Sequence, residues 1–308
     1  MLKYILNRVL AALLSMLVLV TITFFLMHAV PGSPFNPSEQ KNVPAEILAQ
    51  IQEKYGLNQP IWRQYLNYMN NLLHGDLGES FKKINYTVNE LVLGGFPVSA
   101  KLGAWAILFA LAVGIPLGII SALKRGGWMD WFSMIIATIG ISVPTFIIAV
   151  LMMFVFAMKL GWLPVFGYGT WKHLVIPVTC LALSPIAYIT RLMRSSMLEV
   201  SQQDYIRTAR AKGVPEFTVI AKHGIRNAVL PVVTYLGPLV AGLLTGSFVV
   251  ERLFMLPGMG RYFVTAVNDR DYSVILGLTI FYGGFLMLCI LLVDIAYAII
   301  DPRVKFTE

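Results

Sequence analysis

Long apolar runs alternate with polar stretches along most of the chain. A run of about 20 apolar residues is long enough to cross a bilayer as a helix. The first run follows a short basic start and ends before Pro31, and the last ends at Asp301. The pattern therefore predicts an all-α integral membrane protein with six transmembrane helices, at about 9–28, 98–123, 131–158, 174–188, 231–250 and 272–300.

The first run could alternatively be a cleaved signal peptide, which would end in a site with small residues. Such a site has small residues two positions apart. If Ala29 were one of them, the other would be residue 27, which is the large Met27. Residues 1–30 are therefore interpreted as a retained N-terminal transmembrane helix.

Residues 31–97 form the one long hydrophilic insertion. Two segments within it have apolar residues at helical spacing. The first contains Ala45, Leu48, Ile51 and Tyr55, and the second contains Trp62, Tyr65, Leu66, Met69 and Leu72. They predict two amphipathic extracytoplasmic helices, which either cap the outer face of the membrane domain or form a small packed subdomain that contacts nothing else.

Glycine, proline and arginine mark three of the other predicted spans. Gly114 and Gly118 lie one helical turn apart, with a proline between them, which suits either close helix packing or a bend at a pathway. Pro144 is expected to break the third span. The fourth span leads into Arg191 and Arg194, which are expected to mark the inner membrane surface.

Composition agrees with a location in lipid. Of 308 residues, 57% are hydrophobic and 13% are charged, and the mean hydropathy is +0.72, which leaves too little polar surface for a soluble globule. The net charge of +8 is attributed to the excess of Lys and Arg in cytosolic segments, so both termini are expected inside and no nucleic acid is expected as a partner. Cys180 and Cys289 lie in apolar runs and indicate neither a disulfide framework nor a metal site.

The segment 195–229 is polar and strongly basic, which predicts a cytosolic loop between two membrane spans. Asp204 can cap a first short helix that reaches Lys212, and Gly213 can end it in a left-handed turn. A second short helix is expected to begin at Pro215 and Glu216, to present Phe217, Ile220 and Ala221 on one face, and to end at Gly224. This face is too small for a core, so the loop is either a docking element or a solvated basic connector.

The sequence Arg-Thr-Ala-Arg-Ala-Lys-Gly at 207–213, with Asn227 to Pro231 downstream, resembles the loop by which permease subunits of binding-protein-dependent ABC importers contact their ATPase. The commonest form of that motif has Glu-Ala in place of Arg207-Thr208 and a shorter spacing to the second half. The longer form resembles the peptide and nickel importer branch. The resemblance covers essentially the whole chain, and it is strongest to the B-type permease subunit of oligopeptide importers.

This resemblance implies an ABC importer type I permease fold in the bacterial cell inner membrane, with both termini in the cytoplasm. Residues 98–300 would form a five-helix permease core that includes the coupling loop 195–229, and 301–308 would form a cytosolic tail. The implied partners are a homologous second permease, two ATP-binding subunits that hold ATP and Mg, a periplasmic binding protein and a peptide substrate. The residues implied in ATPase coupling are Asp204, Arg207, Ala209, Arg210, Ala211, Gly213 and Phe217.

The segments 249–263 and 268–272 resemble the re-entrant region between the last two helices of the same permeases, although Ser273 stands where many relatives have Pro. The resemblance implies an outer gate or a docking site for the binding protein, formed by Glu251, Pro257, Gly258, Gly260, Arg270 and Asp271. From the residues alone, the glycines permit a tight turn and the charges need water or partners. An ordinary loop with local ion pairs is the alternative.

The sequence contains no Gly-x-x-x-x-Gly-Lys-Ser/Thr phosphate loop, no His-Glu-x-x-His pair and no Gly-x-Ser-x-Gly elbow. The chain is therefore expected to carry no catalytic residue, metal or cofactor of its own. A secondary carrier or channel driven by an ion gradient is the alternative function, and it would need a coupling acid within the membrane, for which Asp294 is the candidate. Oligopeptides, dipeptides and nickel complexes all stay open as cargo.

Overall fold

The computed structural model of the chain describes residues 2–29, 45–83 and 85–300, except for the side chains of residues 2–5, 45, 47–49, 51 and 294–300. The described residues form helices and their connections, with one isolated antiparallel bridge between Glu79 and Thr87. The predicted tail 301–308 and the side chain of Asp294 lie outside this description.

Helices follow one another along the chain, as the prediction of an all-α protein requires. The first seven are α1 (Leu2–Ala29), α2 (Ala45–Lys54), α3 (Ile61–Leu73), α4 (Val88–Leu123), α5 (Trp128–Ser142), α6 (Thr145–Met152) and α7 (Lys172–Ser201), with a π-helical segment at Met153–Lys159. The others are α8 (Asp204–Ala211), α9 (Glu216–Thr218), α10 (Arg226–Ala228), α11 (Leu230–Leu244), α12 (Phe248–Leu253), α13 (Gly260–Asp269) and α14 (Tyr272–Ile300), with a second π-helical segment at Val219–Ile225.

Five helical stretches of the described chain are long and apolar enough to cross a membrane, namely Leu6–Ala29, Val88–Leu123, Lys172–Ser201, Leu230–Leu253 and Tyr272–Val293. α5 and the stretch Thr145–Lys159, which is α6 with the π-helical segment, pass the same test together, but the pair is bent by 106°. Val143 at the bend is extended, with φ −90° and ψ 124°, because a residue that precedes proline is disfavoured in the α region. Each of the six predicted spans therefore has a counterpart, and the predicted break at Pro144 is confirmed.

Two helices extend beyond the spans that the pattern predicts. α4 begins at Val88, so the end of the predicted insertion 31–97 is helical. α7 continues past Arg191 and Arg194 to Ser201, so the predicted loop 195–229 begins inside a helix. Hydropathy alone places helix ends where charge begins, but a charged helical turn is stable when its side chains find partners.

The chain divides into two compact units. The first comprises Met1–Gly95 and Arg261–Phe285. Its core contains Phe24, Met27, Tyr272 and Leu276, with Tyr65, Tyr68, Phe81 and Ile275 packed against them. The predicted amphipathic helix α3 is confirmed, and its tyrosines belong to this core.

The second unit comprises Phe96–Gly260 and Leu286–Glu308. Within it, α4 and α7 approach each other at two glycines of α4. A Cβ at Gly118 would lie 2.6 Å from the Cβ of Met193, and a Cβ at Gly114 would lie 2.9 Å from a methyl carbon of Ile189. No side chain fits into contacts this close, which supports the packing interpretation of these glycines.

Candidate functional site

The predicted coupling loop folds as a helix, a glycine turn and a second helical stretch. α8 ends at Ala211, and Gly213 follows with a φ of +74°. The amide of Gly213 donates to the carbonyl of Arg210 at 2.9 Å, and the amide of Val214 donates to the carbonyl of Ala209 at 3.2 Å. These bonds close the end of α8, so the predicted left-handed stop at Gly213 is confirmed.

Two details of the predicted loop are wrong. Asp204 does not cap α8, because Gln203 is the N-cap residue and Asp204 is the first helical residue. The negative charge of Asp204 there interacts favourably with the positive end of the helix dipole. Gly224 does not end the second helix, because it lies in the π-helical segment and helical structure continues into α10 and α11. Gly224 is buried beside α7, where a Cβ would lie 3.5 Å from the terminal methyl of Met197, an ordinary van der Waals distance.

A small apolar cluster holds the loop together. Ile206, Ala209 and Val219 are buried in it, and Val200 and Val214 pack against them. Ala209 therefore faces inward and offers no surface to a partner. The other predicted coupling residues are exposed, namely Asp204, Arg207, Arg210, Ala211, Gly213 and Phe217.

Arg210 and Glu216 join the two halves of the loop across the glycine turn. The Nε of Arg210 donates to one carboxylate oxygen at 3.0 Å, and its Nη2 donates to the other at 2.6 Å. These hydrogen bonds lower the pKa of Glu216 and raise that of Arg210. The stabilisation is therefore present above the ordinary pKa of Glu and is lost as the pH falls through the lowered value. Because the pair is exposed, it orients the loop more than it stabilises the fold.

The outward surface of the loop combines cations with exposed aromatic rings. Phe217 is 83% exposed. Arg207, on α8, is also exposed, and its guanidinium forms a long ion pair of 3.9 Å with the Asp204 carboxylate one turn earlier. Asn227 donates to the hydroxyl of Tyr205 at 3.1 Å and so ties α10 to α8. Aromatic residues and arginines are enriched at protein interfaces. The loop thus has the composition of a contact surface on a framework that is internally bonded.

A buried ion pair that the local pattern does not indicate lies where α5 and α7 meet. The side chain of Asp130 is 8% exposed, and it accepts from the Nε of Arg194 at 2.7 Å and from its Nη2 at 2.8 Å. The hydroxyl of Ser121 and the amide of Gly126 also donate to this carboxylate. One side chain therefore joins the end of α4, the α4–α5 turn, α5 and α7. Asp130 and Arg194 are 64 positions apart, so only the fold pairs them.

Glu251, predicted for the outer gate, is completely buried, with 0% exposure. One carboxylate oxygen accepts from the hydroxyl of Ser99 at 2.7 Å, and the other accepts from the amide of Gly260 at 2.8 Å. The hydroxyl oxygen of Ser99 in turn accepts from the amide of Met259 at 2.8 Å. The carboxylate is therefore the centre of the turn between α12 and α13, and it has no surface to offer a partner.

The glycines of this turn leave the space that the carboxylate group of Glu251 occupies. A Cβ at Gly246 or Gly258 would overlap the carboxylate of Glu251, and a Cβ at Gly260 would lie 2.7 Å from the amide nitrogen of Phe248. The predicted tight turn is confirmed, but its glycines also allow a backbone cage around a carboxylate. Pro257 is half-buried within the same turn.

Asp271, the second acid predicted for the outer site, is also buried. It caps α14 by accepting from the amide of Val274 at 3.3 Å. It also accepts from the hydroxyl of Ser80 and from the amides of Phe81 at 3.1 Å and Lys82 at 3.3 Å. Asp271 thus fastens the insertion to α14 within the first compact unit, whereas Glu251 belongs to the second.

Arg270 completes the predicted outer set. It is half-buried and has a left-handed φ of +57°, a conformation that is uncommon for a residue with a side chain. This conformation turns the chain from α13 into α14.

Cavities lie beside these elements. A cavity of about 480 Å³ is lined by Lys101 and by aromatic residues that include Trp105, Tyr168 and Trp171. Another, of about 330 Å³, lies beside α3 in the first unit. Among the described residues, no group of three or more His, Cys, Asp or Glu side chains is arranged to hold a metal ion.

The fold defines the class of protein. The inward-facing methionine ABC transporter MetNI contains a chain that superposes on this one with a TM-score of 0.53, over 70% of this chain and 96% of that chain, at 18% identity. At this identity the similarity concerns the fold alone. The chain thus has the helical fold of an ABC importer permease.

The sequence comparison then gives the family. Residues 114–306 match the binding-protein-dependent transport system inner membrane component, and residues 1–102 match the N-terminal region of such membrane components. The chain belongs to this family of inner-membrane proteins, so the resemblance inferred from residues 207–213 is confirmed.

Curated relatives match over nearly the full length. The dipeptide transport system permease protein DppB of Bacillus subtilis is 46% identical over 305 residues, which are 99% of this chain and 98% of that protein. The oligopeptide transport system permease protein OppB of Salmonella typhimurium is 46% identical over 308 residues, which are 99% of this chain and 100% of that protein.

Proposed function

We propose that this chain is the membrane-spanning permease subunit of an ATP-driven importer that carries peptides from the periplasm into the cytoplasm. It works with a homologous second permease, two ATP-binding subunits and a periplasmic binding protein that delivers the peptide. The main support is the 46% identity, over essentially the whole chain, to permeases named for oligopeptide and dipeptide transport. ATP and Mg are held by the partner subunits, because this sequence has no phosphate-binding loop.

The observation that carries the coupling role is the construction of the 204–217 loop. Three features hold its exposed residues in place. They are the turn at Gly213, the ion pair of Arg210 with Glu216, and the small apolar cluster that contains Ile206. Helical structure continues from this loop through the π-helical segment to α11, and Gly224 packs beside Met197 of α7. Movement of the loop is therefore passed to two membrane helices.

The mechanism follows from this linkage. ATP binding closes the two ATP-binding subunits, and the loop, held in a cleft of one of them, moves with it. A ligand shifts a conformational equilibrium only through contacts that differ between the two states. The exposed residues Arg207, Arg210, Ala211 and Phe217 supply those contacts, and the resulting displacement of α7 and α11 opens the pathway outward to receive a peptide.

Peptide uptake into proteoliposomes that contain the whole complex tests this function. With ATP enclosed, the binding protein outside and no ion gradient, we expect uptake that stops when ATP is omitted. Uptake by this chain alone, driven by a proton gradient and abolished by Asp294→Asn, would instead identify an ion-coupled carrier, because that substitution keeps the shape of the side chain and removes its ionisation.

A further inference from the structure

Helix α3 in the extracytoplasmic insertion carries an apolar stripe that no other described residue covers. Trp62, Leu66 and Leu73 are 57%, 55% and 82% exposed. Residues spaced four and then seven positions apart fall on one face of a helix. The stripe is therefore continuous along the helix and separate from the face that joins the protein core.

The core face of α3 packs against α1. The hydroxyl of Tyr65 lies 2.7 Å from the hydroxyl of Thr21, and its ring stacks on Phe25 with 5.6 Å between centroids. Tyr65 also meets Phe24 edge to face at 5.4 Å. One residue earlier in α3, the side-chain oxygen of Gln64 lies 3.3 Å from the Nε2 of His28. These contacts fix the level of α3 along α1.

That level lies within a membrane span. The apolar span of α1 is Leu6–Ala29, and Thr21 is about 12 Å, or two helical turns, before its end. Around the same level, Ile22, Phe25 and Leu26 of α1 are exposed, as residues that face lipid are. α3 therefore stands beside the last two turns of a transmembrane helix.

The opposite flank of α3 is polar. Gln64, Asn67 and Asn71 line the cavity of about 330 Å³, together with the ion-paired side chains of Lys54 and Glu79. Amides and charges of this kind need water or hydrogen-bond partners. The two flanks of α3 thus suit two different solvents.

We propose that α3 is an interfacial helix whose Trp62–Leu66–Leu73 stripe lies in the outer leaflet of the bilayer, at the boundary between headgroups and acyl chains. Amphipathic helices bind this boundary through their apolar face, and Trp is enriched there. The guanidinium of Arg63 lies 5.2 Å from the ring centroid of Trp62, which places a cation at headgroup level. The stripe anchors the insertion to the membrane surface, and the cavity faces the periplasm.

Spin labels on adjacent positions of α3 test this placement. Leu66→Cys and Asn67→Cys have the same depth but lie on different flanks, and each is labelled in the full chain after Cys180→Ala and Cys289→Ala. The complex is reconstituted in vesicles of phosphatidylethanolamine and phosphatidylglycerol. We expect the ratio of collision rates with oxygen and with a water-soluble nickel chelate to be several-fold higher at position 66, because oxygen concentrates in lipid.

A second pair, Leu73→Cys and Asn71→Cys, repeats the comparison if either variant of the first pair does not assemble. Equal ratios on the two flanks would show that the stripe and the polar flank face the same solvent. Protection of position 66 from both reagents would show that protein covers it. Either result overturns the proposal. The readout does not require uptake, so it is independent of whether the complex transports peptides.

Discussion

Gly213 sets the geometry of the proposed coupling loop through its backbone conformation. Its φ is +74°, and nothing lies within 4 Å of the position that a Cβ would occupy. A left-handed conformation costs an ordinary residue about 1–2 kcal/mol. We therefore expect Gly213→Val to lower peptide uptake while the amount of chain in the membrane, measured by immunoblot, stays at the wild-type level.

Gly213→Asn is the matched variant, because asparagine adopts the left-handed conformation more readily than valine. If conformation is the requirement, uptake per chain stays high with asparagine and falls with valine. Equal loss in both would show that the contact admits no side chain of any kind. Wild-type uptake with valine would contradict a coupling role for this turn.

Glu251 is the second residue whose environment makes a sharp prediction. Glu251→Gln keeps the shape of the side chain but turns an NH₂ group toward the hydroxyl of Ser99 or the amide of Gly260. A buried donor without an acceptor costs about 1–3 kcal/mol. We expect a lower melting temperature in detergent, and no change for Arg252→Gln at the exposed neighbouring position. Equal melting temperatures of Glu251→Gln and the wild type would rule out a structural role for the carboxylate.

At the scale of elements, the Asp130–Arg194 pair adds polar contacts that join α4, α5 and α7. Loss of one member of a buried pair leaves an uncompensated charge, whereas replacement of both members by apolar residues is far less costly. We expect Asp130→Asn to destabilise the protein by less than the roughly 3–5 kcal/mol typical of a fully buried pair, because the Arg194 side chain is 25% exposed. The double variant Asp130→Leu with Arg194→Met should recover part of that loss, as monitored by circular dichroism during thermal unfolding. A double variant less stable than Asp130→Asn would contradict this account.

At the scale of the whole molecule, the charge bias predicts that the insertion and the coupling loop lie on opposite sides of the membrane. Asn58 and Ala221 are both exposed, and the two native cysteines, Cys180 and Cys289, are buried. In a variant without native cysteines, an impermeant maleimide applied to spheroplasts should label Asn58→Cys and not Ala221→Cys. Both should react in broken membranes. Labelling of Ala221→Cys in intact spheroplasts would invert the topology.

Features that depend on neighbours in the chain were determined by the sequence alone. Apolar runs long enough for a bilayer predicted the six spans, because lipid leaves a backbone no alternative to internal hydrogen bonds. Pro144 predicted the break between α5 and α6, and Gly213 predicted the end of α8, because each acts through its own backbone. The motif at 207–213 predicted the family.

Features that depend on distant partners were decided only by the tertiary structure. α7 continues past Arg194 to Ser201, and Arg194 within it pairs with Asp130, 64 positions away. The buried carboxylate of Glu251 accepts a hydrogen bond from Ser99, 152 positions away. The buried carboxylate of Asp271 accepts one from Ser80, 191 positions away. A local pattern assigns a charged residue to the surface, since burial without partners is too costly. Only the fold supplies the donors that allow a carboxylate to become part of the core.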